Sequence, residues 1–124
     1  SDQAATLAPG LYLVSVPIGA ARDITLRAID ILRDADVLAA EDTRSLRRLM
    51  EIHAIDLRGR RIIAYHDANG ARARPGLLAE LARGKSVAYA SEAGTPLVAD
   101  PGFPLVREAI EAGYGVTAAA GPVA

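Results

Sequence analysis

The stretch best equipped for chemistry is SEAGTPLVADPG, Ser91 to Gly102. Gly94 and Gly102 admit left-handed backbone or the close approach of a ligand. Pro96 and Pro101 fix φ and remove two donors, so the loop is stiff. Twelve residues is long for a plain strand-to-helix turn. It follows the apolar run Val87–Ala90, and a stiff loop at the carboxyl end of a strand is where open α/β sheets hold ligands. Its acids, Glu92 and Asp100, join Asp23, Glu41 and Asp42, which also follow apolar runs. Such carboxylates accept hydrogen bonds from hydroxyl or amino groups, and the small residues beside them let a planar ring lie against backbone. A nucleoside-type ligand fits that description, and a cationic one fits better than a phosphate.

Other chemistries are excluded by what is missing. No G-x-G-x-x-G follows the first apolar run, and there is no G-x-x-x-x-G-K-[ST] or G-x-S-x-G. His53 and His66 have no metal-ligand spacing, and the chain has no cysteine, so neither a metal site nor a disulfide framework is expected. Net charge is −1, so contact with nucleic acid would need a local patch rather than bulk attraction. No apolar run approaches the ~20 residues of a membrane span, and Ser1–Thr6 has no basic n-region, so the cytoplasm is the expected compartment.

The elements that must position these residues alternate regularly. Leu11–Val16, Val37–Ala40, Arg61–Tyr65, Ser86–Ala90 and Val116–Ala119 read as strands. Helices are predicted between them. The first is capped by Asp23 or Thr25 and carries Leu26, Ile29 and Leu32 inward, with Asp34 facing water. The second starts at Asp42 or Thr43 and carries Leu46, Leu49 and Met50 inward, with Arg44, Arg47 and Arg48 on its polar side. The third opens at Pro75 and closes at Gly84, after a polar loop over His66–Arg74. The fourth runs from Phe103 to Ala112 with Leu105, Val106, Ala109 and Ile110 inward. Strands alternating with helices imply a single α/β domain, a five-stranded parallel sheet flanked by helices over 10–124, with a tail at 1–9. The polar loops at 17–23, 41–43, 66–72, 91–102 and 121–122 all follow strands, so they share one rim.

LYLVSVPIG, DITLRAIDILRDADVLAAEDTR, YHDAN, SEAGTPLVADPG and AAGPVA occur in that order. With these blocks the chain resembles, over residues 10–124, the N-terminal domain of the tetrapyrrole (corrin/porphyrin) methylase superfamily, and within it the branch acting on small-subunit ribosomal RNA. The resemblance implies S-adenosylmethionine as cofactor, held in a cleft between two unlike α/β domains of which the second is absent from this chain. It implies transfer of a methyl group to the 2′-oxygen of a cytidine, and a homodimer. Three positions depart from the family pattern: Ala20 for Asn, Glu92 for Asp and Val123 for Ser.

By resemblance, Pro17 and Gly19 shape the first cofactor loop, Ser91, Glu92, Ala93, Gly94, Thr95 and Pro96 line the cofactor site, and Gly121 and Pro122 close its adenosine side. Asp42 is read as either a helix cap or a catalytic residue, and His66 as either a structural histidine or the base toward a ribose hydroxyl. Arg44, Arg47 and Arg48 read as a phosphate-contacting row or a solvated face; Arg72 and Arg74 are read the same way. Two alternatives stay open: a methyltransferase of a tetrapyrrole, and a non-catalytic binding or dimerisation module.

Overall fold

Parallel strands cannot be joined by tight turns, so each must be followed by a crossover. The chain obeys this from end to end. The computed structural model describes residues 7–17, 23–92 and 102–119. Its elements are β1 (Gly10–Val16), α1 (Leu26–Asp34), β2 (Val37–Ala40), α2 (Thr43–Ile52), β3 (Ile62–Ala64), α3 (Gly70–Ala82), β4 (Ser86–Glu92), α4 (Gly102–Glu111) and β5 (Val116–Ala119). The strands form one parallel sheet in the order β3-β2-β4-β1-β5.

Period-two alternation divides the core into two layers. Tyr12, Val14, Leu38, Ala88 and Ala90 pack with Ile31, Leu32, Leu46 and Met50, so α1 and α2 cover one face. Leu11, Leu13, Ala39, Val87 and Tyr89 pack with Leu77, Leu81, Leu105 and Ala109, so α3 and α4 cover the other. β4 is buried on both faces, which is why its sequence reads as a continuous apolar run.

The helices start where side chains satisfy free amides. Thr25 caps α1, its Oγ1 accepting from the Ala28 N–H at 3.1 Å. The C-terminus of α1 is satisfied by two guanidinium groups from the α2–β3 connection. Arg58 donates to the carbonyl of Arg33 (2.7 Å), and Arg60 donates to those of Leu32 and Ala35 (2.8 Å each). Cations at that end also meet the negative pole of the helix. Gly84, at φ +79°, closes the turn after α3.

Several boundaries differ from expectation. α3 begins at Gly70, not Pro75, so Pro75 lies inside the helix. Asn69 sets this up: its Oδ1 accepts from the His66 N–H and its Nδ2 donates to the Ala64 carbonyl, both at 2.8 Å. That tight turn starts the helix early and orders residues expected as loop. Proline removes one bond, to the carbonyl of Ala71; both residues are exposed, so water can replace it. β4 runs two residues beyond Ala90, and β3 is shorter than Arg61–Tyr65. Leu26 and Ile110 point outward, while Asp34 is buried beside Arg33. α1 buries the stripe Ala28, Ile31 and Leu32 instead.

One polar clip fixes the start of β4. The Ser86 N–H and Oγ–H both donate to Asp36 Oδ2, at 2.9 and 3.1 Å, and the Asp36 N–H donates back to Ser86 Oγ at 2.9 Å. Ser86 is buried, so removing the carboxylate strands a donor. Asp36→Ala is expected to lower unfolding stability by about 1–3 kcal/mol, read as a shift of the denaturant midpoint at unchanged slope, with Asp36→Asn recovering part of it.

Candidate functional site

The carboxyl ends of the strands define one rim. Val16 pairs with Glu92, Ala40 with Ala90, Ala40 with Ala64 and Val14 with Ala119, so the ends of all five strands lie together along it. β1 and β4 are neighbours, yet the helices that follow them lie on opposite faces, α1 with the first core layer and α4 with the second. Neighbouring strands whose connections diverge leave a crevice between them. That topological switch point is where open parallel sheets bind ligands. The residues there are Pro17, just after β1, and Ser91 and Glu92 at the end of β4; Ser91 is buried, and Pro17 and Glu92 are half-buried. Gly19, Ala93, Gly94, Thr95, Pro96, Gly121 and Pro122 lie outside the described residues, as do Ala20, Asp100 and Val123.

β2 contributes two adjacent acids with different partners. Glu41 donates its N–H to the Ala90 carbonyl at 3.1 Å, and its Oε1 accepts from the Glu92 N–H at 2.9 Å. Asp42 is the N-cap of α2, its Oδ1 accepting from the Ser45 N–H at 3.1 Å. That amide holds the Asp42 carboxyl below its usual range. β3 brings His66 to the same rim, half-buried, with its backbone N–H held by Asn69.

Beneath the rim, on the α3/α4 side, the aromatic rings of Tyr65 and Tyr89 meet edge to face, with centroids 5.3 Å apart. The Tyr65 hydroxyl accepts from Arg74 at 3.3 Å, and Arg74 pairs with Glu108 at 2.9 Å, tying α3 to α4. Burial, and then the Glu41 carboxylate, push the Tyr89 phenol above its usual value, so it stays neutral. Arg74, read from sequence as either a phosphate contact or part of a solvated face, is instead engaged with Tyr65 and Glu108 inside the fold. Arg44, Arg47, Arg48 and Arg72 are exposed. The first three lie on the outer side of α2, opposite buried Leu46, Leu49 and Met50.

Sequence reasoning named Glu41 as a rim acid but missed its bond to Glu92, and it missed the Asn69 turn. An acid placed one residue past the end of a short strand, before a helix cap, was the available signal. Among the described residues no group of three or more His, Cys, Asp or Glu side chains could hold a metal ion. No described helix is long and apolar enough to cross a membrane. A hollow of about 290 Å³ lies at the opposite rim, below the ends of α1 and α2, lined in part by Ile29, Arg33, His53 and Arg58. It lies far from the switch point, and its Arg58 is occupied with capping α1.

The switch point of a 3-2-4-1-5 parallel sheet is the setting in which the family relationship appears. Residues 10–124 match the model of the tetrapyrrole (corrin/porphyrin) methylases, and the chain belongs to that family. Its relatives include the protein named ribosomal RNA small subunit methyltransferase I in Mesorhizobium japonicum, 52% identical over 95% of this chain and 39% of that protein. The protein of the same name in Escherichia coli O157:H7 is 45% identical over 92% of this chain and 39% of its own length. The chain thus spans about two fifths of these curated relatives. Among solved structures, a diphthine synthase superposes with a TM-score of 0.66 at 22% identity, covering 90% of this chain and 43% of that one. A conserved hypothetical protein from Aeropyrum pernix K1 gives 0.67 at 24%, covering 94% of this chain and 39% of that one. Both share the fold.

The Asp42 cap carries its own pH dependence. Its folded-state pKa lies below the unfolded value, so the stability it contributes is complete above the usual aspartate range and is lost as pH falls through the lowered value. Asp42→Ala is expected to cost about 1 kcal/mol near neutral pH. Asp42→Asn, which keeps an acceptor, is expected to hold α2 and to flatten stability below pH ~4, measured by thermal unfolding across a pH series.

Proposed function

We propose that this chain forms the cofactor-holding part of an S-adenosylmethionine-dependent methyltransferase that modifies the 2′-oxygen of a cytidine in small-subunit ribosomal RNA. The observation that carries the reading is the topological switch point at the carboxyl ends of β1 and β4, where Pro17, Ser91 and Glu92 stand. Similarity to proteins named ribosomal RNA small subunit methyltransferase I supports the choice of substrate. The proposed unit is a domain over 10–124 with a tail at 1–9, acting in the cytoplasm as a homodimer and without a metal.

The donor set suits the methyl donor. Glu92 places a carboxylate at the rim, and among the described residues β1 and β4 bring no arginine there, so a sulfonium is favoured over a phosphate. When bound, S-adenosylmethionine supplies an electrophilic methyl group. What the chain must supply is position. Pro17 and Gly19 on one side and Ser91, Glu92, Ala93, Gly94, Thr95 and Pro96 on the other hold the donor in line with the attacking oxygen and exclude water. Gly121 and Pro122 close over the adenosine. His66, half-buried on the rim, takes the hydroxyl proton. Asp42 borders the substrate side while capping α2. Arg44, Arg47 and Arg48 track the RNA backbone, which positions the substrate without reading its sequence.

A second reading, methylation of a tetrapyrrole, is favoured by the family's own description. The third is a non-catalytic module, to which the departures Ala20, Glu92 and Val123 from the family pattern point. Calorimetry with S-adenosylhomocysteine separates the last from the others: binding supports an enzyme, and a folded sample giving no heat supports the module. Tritium transfer from S-adenosylmethionine to small ribosomal subunits, by the product of the natural reading frame, is expected and is lost in Glu92→Ala. Transfer to a corrinoid instead would support the second reading. Replacing Arg44, Arg47 and Arg48 with alanine is expected to weaken RNA binding and to reduce its logarithmic salt slope by about 0.7–0.9 for each phosphate that is no longer neutralised.

A further inference from the structure

The end of β4 is held by something other than a strand. In a parallel ladder the amides of alternate residues face the same neighbour. Ala90 faces β2, since its carbonyl accepts from the Glu41 N–H. Glu92, two residues on, therefore turns its N–H to the same side. There β2 has ended: the chain is already leaving at Asp42 to enter α2. The backbone acceptor that a continuing β2 would have offered is replaced by the Glu41 side chain, whose Oε1 sits 2.9 Å from the Glu92 nitrogen. β4 is longer than β2 by three residues, seven against four, and this carboxylate supports the overhang on the β2 side.

We infer that Glu41 is a positioning residue of the cofactor site, fixing the height and direction at which β4 delivers Ser91 and Glu92 to the crevice. The inference rests on the reading given under Proposed function, and it adds a residue that touches the strand rather than the ligand. Two features separate this bond from ordinary scaffolding. It lies at the mouth of the switch point, opposite Val16 on the other flank of β4. It also has an internal counterpart: Asp36, just before β2, clips the Ser86 amide at the other end of the same strand. Two carboxylates of similar chemistry thus hold one strand at its two ends, and only one of them stands at the proposed site.

The counterpart supplies the control. In the product of the natural reading frame, Glu41→Ala, Glu41→Asp, Glu41→Gln and Asp36→Ala are compared for melting temperature and for the KM and kcat of methyl transfer from S-adenosylmethionine. Glu41→Ala and Glu41→Asp, which lack or shorten the arm, are expected to raise the KM for the donor by about tenfold, with a smaller change in kcat. Glu41→Gln keeps the acceptor at full reach and is expected to return KM to within about threefold of the parent. Asp36→Ala is expected to lower the melting temperature as much as Glu41→Ala while leaving KM unchanged. A KM that stays within about twofold in both Glu41→Ala and Glu41→Asp overturns the inference. So does a Gln variant as impaired as the alanine one, which would assign the effect to charge. If Glu41→Ala does not fold, the Asp and Gln variants decide. A parent that binds no donor defeats the functional reading and this inference together; a parent that binds it, with variants unaffected, defeats this inference alone.

Discussion

Everything in this fold leans on β4. It is the middle strand, paired in parallel with β2 on one side and β1 on the other, and covered by helices on both faces. A strand in that position has no water to fall back on, so every amide it presents must find a partner inside the protein. The β1 ladder supplies partners along the full length from Ser86 to Glu92. The β2 ladder supplies them only from Val87 to Ala90. The amides beyond that shorter strand are answered by Asp36 at the start and Glu41 at the end. A mismatch in strand length is thereby resolved with two carboxylates, one at each rim.

The same strand borders the site. α1, which follows β1, and α4, which follows the neighbouring β4, lie on opposite faces of the sheet, which makes the carboxyl ends of β1 and β4 the topological switch point. The chemistry on the two rims differs accordingly. On the amino rim, Arg58 and Arg60 close the end of α1, and the polar groups there are committed to holding the scaffold. On the carboxyl rim stand, among the described residues, Pro17, Glu41, Asp42, His66, Ser91 and Glu92, three of them carboxylates. Below them the Tyr65–Tyr89 pair and the Arg74–Glu108 bridge make a firm floor.

The order of elements and the sharing of one rim were legible in the sequence because both follow from local pattern. Short apolar runs followed by polar Gly/Pro stretches mark strand ends, and Thr25 and Asp42 mark helix starts. What was not legible depends on contacts distant in sequence. The start of α3 turns on Asn69 folding back to Ala64 and His66, which overrides the usual meaning of Pro75 as a helix opener. The length of β4 turns on Glu41, fifty-one positions away from Glu92; the place of Glu41 just past a short strand marks it as a rim acid but does not name its partner. Arg74 reads as one more surface cation until Tyr65 and Glu108 are brought beside it. Leu26 reads as core by spacing, yet it is the first residue of α1 and lies off the buried stripe of Ala28, Ile31 and Leu32, which leaves it exposed.

The central claim is that the methyl donor sits on the carboxyl rim, between β1 and β4. It is tested most directly by titrating isotopically labelled protein with S-adenosylhomocysteine and following backbone amide resonances. The account predicts that shifts concentrate at Val16, Glu41, Ser91 and Glu92, and that Asp36, Arg58 and Gly84 on the opposite rim stay in place. Shifts centred on the hollow beside Arg33 and Arg58, with the β1 and β4 ends unmoved, would contradict it.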